Sequence, residues 1–239
     1  MRFDLHIHSC LSPCADRDMS PRAVVRRACE AGLDAIALCD HNSARNAPAF
    51  QAACAAEGLY GLYGLEISAA EQLHVLTVFD TPADALAMTE QVYAALPGRS
   101  NVPERFGHQQ VMDADDRLED VDWNPLILPT TLHVRDIGAA ARKLGGLVIA
   151  AHADRPEFSI FSELKLLRGD EGFDAMELSD HAGQALWRQH FAGLPVLCAS
   201  DAHQLRDIGC AWNEADLPRF CVASLRAALA GGAVHCVTR

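Results

Sequence analysis

The sequence predicts an α/β protein: one compact domain on a mostly parallel sheet, closed as a barrel or left open. Three observations lead there. Apolar, strand-length runs alternate with stretches of helical period along most of the chain. At 239 residues, half of them apolar and with no long Gly/Ser or charge run, the chain is large enough for one substantial core. Finally, His6, His41, His152 and His203, four of only 11 histidines, fall at or just past strand ends, where parallel sheets collect their functional residues.

The first strand is Arg2 to Ile7. Alternate side chains of an extended backbone share a face, so His6 and His8 aim two imidazoles at one point. Ser20-Pro21 supplies an N-cap and a first-turn proline for a helix whose stripe of Val24, Val25, Ala28 and Cys29 is ended by Gly32. Strand Ala35 to Cys39 runs into Asp40-His41-Asn42, and an Ala-rich helix from Ala44 to Glu57 stops at Gly58. Leu59 to Ile67, carrying Glu66, and His74 to Phe79 are the next strands, followed by a helix from Thr81-Pro82 to about Leu96. Tyr60, Tyr63 and Gly64 are expected in barrel packing, Gly64 for close backbone approach. Leu147 to Ala151, Ala175 to Leu178 and Pro195 to Ser200 complete seven strands. The remaining helices are expected at Asp136 to Leu144, Ser159 to Leu167, Gly183 to Phe191 and Ser224 to Ala230.

Two places break the rhythm. Only seven residues separate Glu66 from His74, fewer than the dozen or so a parallel crossover requires. As an antiparallel hairpin this pair sets His74 beside Glu66; as a parallel pair it makes Asp80 the better candidate. The second break is the polar insertion 97–131, acidic over 113–122, expected as a lid, a small subdomain or an excursion.

Composition excludes several classes. A net charge of -12 argues against extended nucleic-acid binding, which needs a basic surface, but leaves room for a small phosphorylated substrate held through cations. No run approaches a membrane span and the first residues lack signal-peptide character, so a soluble, cytoplasmic protein is expected. Nine cysteines, an odd number without a CxxC pair, fit reduced thiols rather than a disulfide framework or zinc ribbon.

The strand ends gather His6, His8, Asp40, His41, Glu66, His152, Asp201 and His203, with His74 joining in the hairpin arrangement. So many imidazoles and carboxylates exceed the needs of one ion and suit two or three divalent ions, Zn, Mn or Fe. Such clusters supply hydroxide near neutral pH and stabilise attacking and leaving oxygens.

The ordered set Asp4-Leu5-His6-Ile7-His8-Ser9, Asp40-His41-Asn42, Gly64-Leu65-Glu66, His74-Val75-Leu76, Ala151-His152 and Ser200-Asp201-Ala202-His203 resembles the PHP (polymerase and histidinol phosphatase) superfamily over nearly the whole chain. The segments 10–16 and 152–161 resemble a subgroup predicted to be metal-dependent phosphoesterases. The resemblance implies a distorted (β/α)7 TIM-like barrel, a trinuclear centre and hydrolysis of a phosphate ester. It implies His6, His8, His41, Glu66, His74, His152, Asp201 and His203 as ligands. For the ninth, Cys14 and Asp16 compete; Asp16 is preferred because a carboxylate keeps the site's hard-ligand character. The expected reaction is attack of a metal-activated hydroxide on phosphorus.

Candidate catalytic residues are Glu66 as bridging carboxylate, Asp40 orienting a ligand or incoming group, His203, and Arg155. Arg155 and Arg45 are candidates to hold phosphoryl oxygens, against the alternative of surface pairing with acidic neighbours. His108, His133, His190 and His235 carry no carboxylate pattern and are expected to be structural; His181, past a strand end, is expected in a solvated loop, with a place in the pocket lining as the alternative, and Glu177 is expected as a satisfied core carboxylate. A metal-dependent amidohydrolase or lactonase is the competing enzyme class. It usually needs a bridging lysine, and Lys143 and Lys165 both fall in expected helices. A non-catalytic metal-binding regulatory module is the third class.

Overall fold

The computed structural model describes residues 1–164, 171–179 and 193–239. The expected helix over 183–191, the end of the one over 159–167, and His181, His190 and Lys165 lie outside the described residues.

A nine-stranded sheet curls into a nearly closed barrel. Its strands are β1 (Arg2–Ile7), β2 (Ala35–His41), β3 (Tyr60–Ser68), β4 (His74–Phe79), β7 (Leu147–Ala150), β8 (Ala175–Leu178), β9 (Val196–Cys198), β10 (Ala211–Glu214) and β11 (His235–Thr238), while β5 (Gln110–Met112) and β6 (Leu118–Val121) pair separately. Strands β1, β2 and β3 run parallel, β4 returns antiparallel between β3 and β7, and β7, β8 and β9 are again parallel. The short connection therefore makes a hairpin, and Ser68 pairs with His74.

Strands β10 and β11 were not anticipated. Beside the seam β10 adds antiparallel onto β1, and β11 adds antiparallel onto β10. There the Asn213 amide spans both sides: it accepts from the Cys198 N–H at 2.9 Å and donates to the carbonyls of Cys198 at 2.7 Å and Phe3 at 3.4 Å. At the rim, the His8 N–H donates to the Ala202 carbonyl at 3.0 Å.

Alternation sorts each strand into an outer face under the helices and an inner face. Ala35, Ala37, Cys39, Leu62, Leu76, Val78, Leu147, Ile149, Ala175 and Leu197 fill the interior. Small residues let the strands close: a Cβ on Gly64 would meet Cys39 Sγ and the Thr77 carbonyl oxygen, each at 2.6 Å. Tyr63 packs on Phe50, but Tyr60 is mostly exposed at the start of its strand, so that expectation is corrected. The lower end is plugged by helix Val222–Ala230, whose Leu225 and Leu229 join the interior cluster. Asp80 accepts the Val222 N–H there at 2.8 Å, at the end of β4 remote from His74.

Helix Pro21–Glu30 begins as expected, with Ser20 Oγ accepting the Ala23 N–H, and Ala47–Glu57 ends on left-handed Gly58. The insertion is folded. Besides the β5–β6 pair it holds a turn of helix at Pro103–Phe106, and Leu126 and Val111 pack on Leu11. The Asn42 amide donates to the carbonyls of Leu126 and Leu128, tying the insertion to the rim at the end of β2.

Candidate metal centre

A bulge decides where the first two imidazoles point. Phe3 and Leu5 face the interior, and strict alternation would send His6 and His8 outward; the β1–β2 register shifts between Asp4 and Ile7, and the two histidines turn inward. Asp4 fixes the distortion. Its carboxylate accepts the His6 N–H and both the N–H and hydroxyl of Ser200.

Glu66 lies at the middle, 1% exposed. Its Oε1 faces His74 Nδ1 at 2.8 Å and His152 Nε2 at 3.0 Å. Its Oε2 faces His41 Nδ1 at 3.0 Å, His8 Nε2 at 3.4 Å and His6 Nε2 at 3.6 Å. Asp201 Oδ1 stands 3.1 Å from His8 Nε2 and 3.3 Å from His6 Nε2. Three overlapping donor sets result, His8/His41/His203, His6/His8/Asp201 and His41/Glu66/His74, each with ligand atoms within 4.8 Å of one another.

The donors fit a cation better than they fit each other. Glu66 Oε2 and His41 Nδ1 are close, yet neither makes a hydrogen bond, and both are buried. Atoms so placed in a protein interior are costly unless something else satisfies them, and a divalent cation between them would.

Charge is divided accordingly. Burial opposes ionisation of Glu66, but His74, His41 and His6 hold it well below the usual carboxylate range. Burial likewise opposes charge on His6, yet Glu177, Asp201 and Glu66 push its pKa well up. His8, whose Nε2 is 3.0 Å from that of His6, is driven well down by burial and by His203 and His41. Only one of that pair carries a proton towards the other.

Partners behind the ligands set their orientation. His6 Nδ1 lies 2.9 Å from Glu177 Oε2, and Glu177 Oε1 accepts the His152 N–H at 3.3 Å. Glu177 is therefore an orienting carboxylate, not only a satisfied core acid; the sequence signal was its inward position two residues after Ala175, at a strand end. Asp40 accepts from Ser9 and Ser12, and Ser12 Oγ is 2.9 Å from His8 Nδ1. Asp40 is buried and absent from the cavity lining, and its contact with His8 runs through Ser12.

Two expectations change. Asp16 is exposed and belongs to none of the donor sets. Its backbone N–H donates to the His203 carbonyl, so the loop is anchored by its main chain while the carboxylate faces solvent. Cys14 takes the inward place: although the residue is exposed, its thiol reaches His203 and His41, whose hydrogen bonds outweigh burial and bring its pKa down to about 7. Arg45 is held by Asp120 at 2.6 Å and Asp122 at 3.6 Å in the insertion and does not line the cavity, so its phosphate role is withdrawn. Arg155 does line it, 2.7 Å from Asp201 Oδ2, with Nε on Ser179. His133 pairs with Glu71, and His108 and His235 are exposed.

An α/β barrel whose rim gathers imidazoles around a shared, buried carboxylate defines a class of barrel proteins with donor sets suited to metal ions. More narrowly, the chain belongs to the PHP domain family, whose model matches residues 4–200, with a PHP-associated segment at 189–234. No curated protein matches it significantly. It is similar in fold to a lesion-specific endonuclease, endonuclease Q of Pyrococcus furiosus, with 20% identity, a TM-score of 0.70 and coverage of 99% of this chain but 58% of the endonuclease. An endonuclease Q complex has been solved with a 27-mer duplex substrate bearing an abasic lesion at the active site. A two-domain protein from Bacteroides vulgatus containing a predicted PHP-like metal-dependent phosphoesterase is 16% identical over 100% of this chain and 65% of its own, with a TM-score of 0.60. An amidohydrolase from Chromobacterium violaceum, solved with bound sulfate and no metal, is 19% identical over 98% and 97%, with a TM-score of 0.62. The charge-based argument against nucleic acid gains no support from these similarities. No helix among the described residues is long and apolar enough to cross a membrane.

Proposed function

We propose that the protein hydrolyses a small phosphate ester at a centre of two or three divalent cations, Zn, Mn or Fe. The observation that carries the reading is Glu66, whose two oxygens address separate sets of imidazoles. His6, His8, His41, Glu66, His74, His152, Asp201 and His203 would hold the cations, with Cys14 beside them. When bound, the cations supply hydroxide near neutral pH and positive charge for the phosphoryl oxygens.

The chain's own groups do the rest. Glu177 and Asp40 with Ser12 keep His6 and His8 in one tautomer and orientation. Arg155, at the cavity edge, holds Asp201 in place and offers its remaining N–H groups to a phosphoryl oxygen. His203 also lines the cavity; its Nδ1–H, fixed on the Asp201 carbonyl at 2.8 Å, leaves Nε2 as the nitrogen that would hold a cation, so the departing alkoxide would take its proton from water. Among the described residues the amidohydrolase reading has no bridge: Lys143 ends helix Val134–Lys143, and no described lysine lines the cavity.

Metal analysis of the purified protein, joined to a screen of phosphate esters with added Mn, tests this. Two or three equivalents of metal and Mn-stimulated phosphate release are expected. A protein that stays metal-free and inert towards every ester would overturn it.

A further inference from the structure

Beside the ligands, the cavity of about 240 Å³ is edged by Pro156, Glu157 and Phe158. Phe158 is 47% exposed and its φ is 56°, a left-handed conformation that bulky residues rarely adopt. An apolar ring left in water on a strained backbone gains little for the fold, and such strain persists only where surrounding bonds hold it. Here they do. The Phe158 carbonyl accepts the His74 N–H at 3.1 Å, Ser159 Oγ donates to the Arg155 carbonyl at 2.6 Å, and Asp154 accepts the Ser179 N–H at 2.8 Å. The segment is pinned at both ends, so the ring's position is built.

That position is particular. The ring lies parallel to the His74 imidazole, with centroids 5.3 Å apart and planes 12° apart, and His74 in turn touches Glu66. One ring face is spent on His74; the ring is open enough to water for a second flat group to lie against it. Parallel π-faces attract any flat ring without regard to its hydrogen-bonding edges.

From this we infer that Phe158 is a stacking platform, and that the substrate is a phosphate ester whose organic part carries a planar aromatic ring, such as a nucleobase or an aryl group. The inference rests on the phosphate-ester reading above and narrows it. With the phosphoryl group among the ligands, the remainder of the substrate can extend along the cavity edge where this ring stands. A purely aliphatic ester would fill the same cavity and leave the ring wet.

The test uses the full chain loaded with Mn and measures equilibrium binding of adenosine 5′-monophosphate, phenyl phosphate and ribose 5-phosphate by calorimetry. Wild type, Phe158→Ala and Phe158→Trp are compared, with metal content checked in each. Stacking of one ring is expected to make at least one aromatic ester bind roughly tenfold or more tightly than ribose 5-phosphate. Which aromatic ester gains separates a nucleobase held one sugar away from a ring directly on the phosphate. Phe158→Ala should erase the preference while moving ribose 5-phosphate by less than about twofold, and Phe158→Trp should keep it. Equal affinities in wild type, no binding of any ester, a uniform loss in Phe158→Ala, or loss of metal from that variant would overturn the assignment. Turnover is scored separately. Ring-dependent binding without hydrolysis sustains the platform and removes the phosphoesterase reading, whereas hydrolysis without ring dependence does the reverse.

Discussion

The two halves of the centre are built differently. In β2, β3 and β4 the proposed ligands lie in regular strands, so the ladder of the sheet places His41, Glu66 and His74 as it places their apolar neighbours. From β7 to β9 the ligands follow the strands, and their backbones are bent into the left-handed region, His152 at φ 27° and Asp201 at φ 48°. Such conformations cost about 1–3 kcal/mol each for residues with a side chain. The second half is held by polar struts: Glu177 under the His152 N–H, Arg155 on Asp201, and the Asp201 carbonyl on His203. A ligand on a strand is fixed by what fixes the fold, and a ligand on a loop needs its own support.

The largest effect is expected where the halves meet. Glu66 touches His41 on one side and His152 on the other. Glu66→Gln should therefore empty both halves together, lowering kcat/KM by roughly a thousandfold, equivalent to about 4 kcal/mol. Metal analysis beside turnover checks it; a variant that keeps all its metal would show that the carboxylate is not shared. Removing metal from wild type with a chelator should abolish activity reversibly, and added Mn should restore it.

Next come the struts. Glu177→Gln removes the charge and leaves one acceptor oxygen for the two donors, His6 Nδ1 and the His152 N–H, and is expected to weaken metal binding roughly 10- to 100-fold, the usual range for an orienting partner. Arg155→Ala releases Asp201 alone and should lower metal affinity less. Competition with a chromogenic chelator reads both. An equal loss in the two variants would mean that Asp201 depends on its strut as much as His6 and His152 together depend on theirs.

Asp4 joins the halves across the seam, and its behaviour with pH sharpens the contrast. Burial outweighs the hydrogen bonds from Ser200 and the His6 N–H and raises its pKa from 3.8 to about 7. An acid with a raised pKa binds its proton more tightly when folded than when unfolded. Its contribution is thus greatest below the ordinary carboxylate range and is lost as pH rises towards about 7. In metal-stripped protein the group is expected to cost on the order of 4 kcal/mol across that window. Asp4→Asn mimics the protonated acid. The stability difference between wild type and variant, from urea unfolding, should drift in the variant's favour between about pH 4 and pH 7. A difference flat with pH would refute the shift.

The same division explains what could be read from the amino-acid order. The strand half was legible because alternation is a local rule: His41 follows Ala35, Ala37 and Cys39 on the inner face, and the short connection after Glu66 admitted a hairpin. Even there the β1 bulge was invisible, since Asp4 makes it with Ser200, 196 residues away. Glu177 was misjudged for a similar reason, its partner His6 being 171 positions distant. Strands β10 and β11 escaped because their four-residue runs, Ala211–Glu214 and His235–Thr238, mix polar and apolar residues and pair only with distant strands, β10 with β1 and β11 with β10. Arg45 looked like a phosphate ligand by position, but the insertion that brings Asp120 and Asp122 to it had no readable periodicity.

The smallest effect concerns the loop after β1. Asp16 and Cys14 are two residues apart and were the two candidates for one ligand place. Asp16→Ala alters an exposed carboxylate and leaves the N–H that donates to His203 untouched, so stability should stay within about 0.5 kcal/mol and metal content unchanged. Cys14→Ser keeps the size of the group but removes a thiol whose pKa His203 and His41 lower to about 7. Because a thiolate is a soft ligand, its loss should weaken zinc more than manganese. Competition titrations with the two metals separate the cases. A drop in affinity in Asp16→Ala with none in Cys14→Ser would return the ninth place to the carboxylate and require this loop to turn over when metal binds.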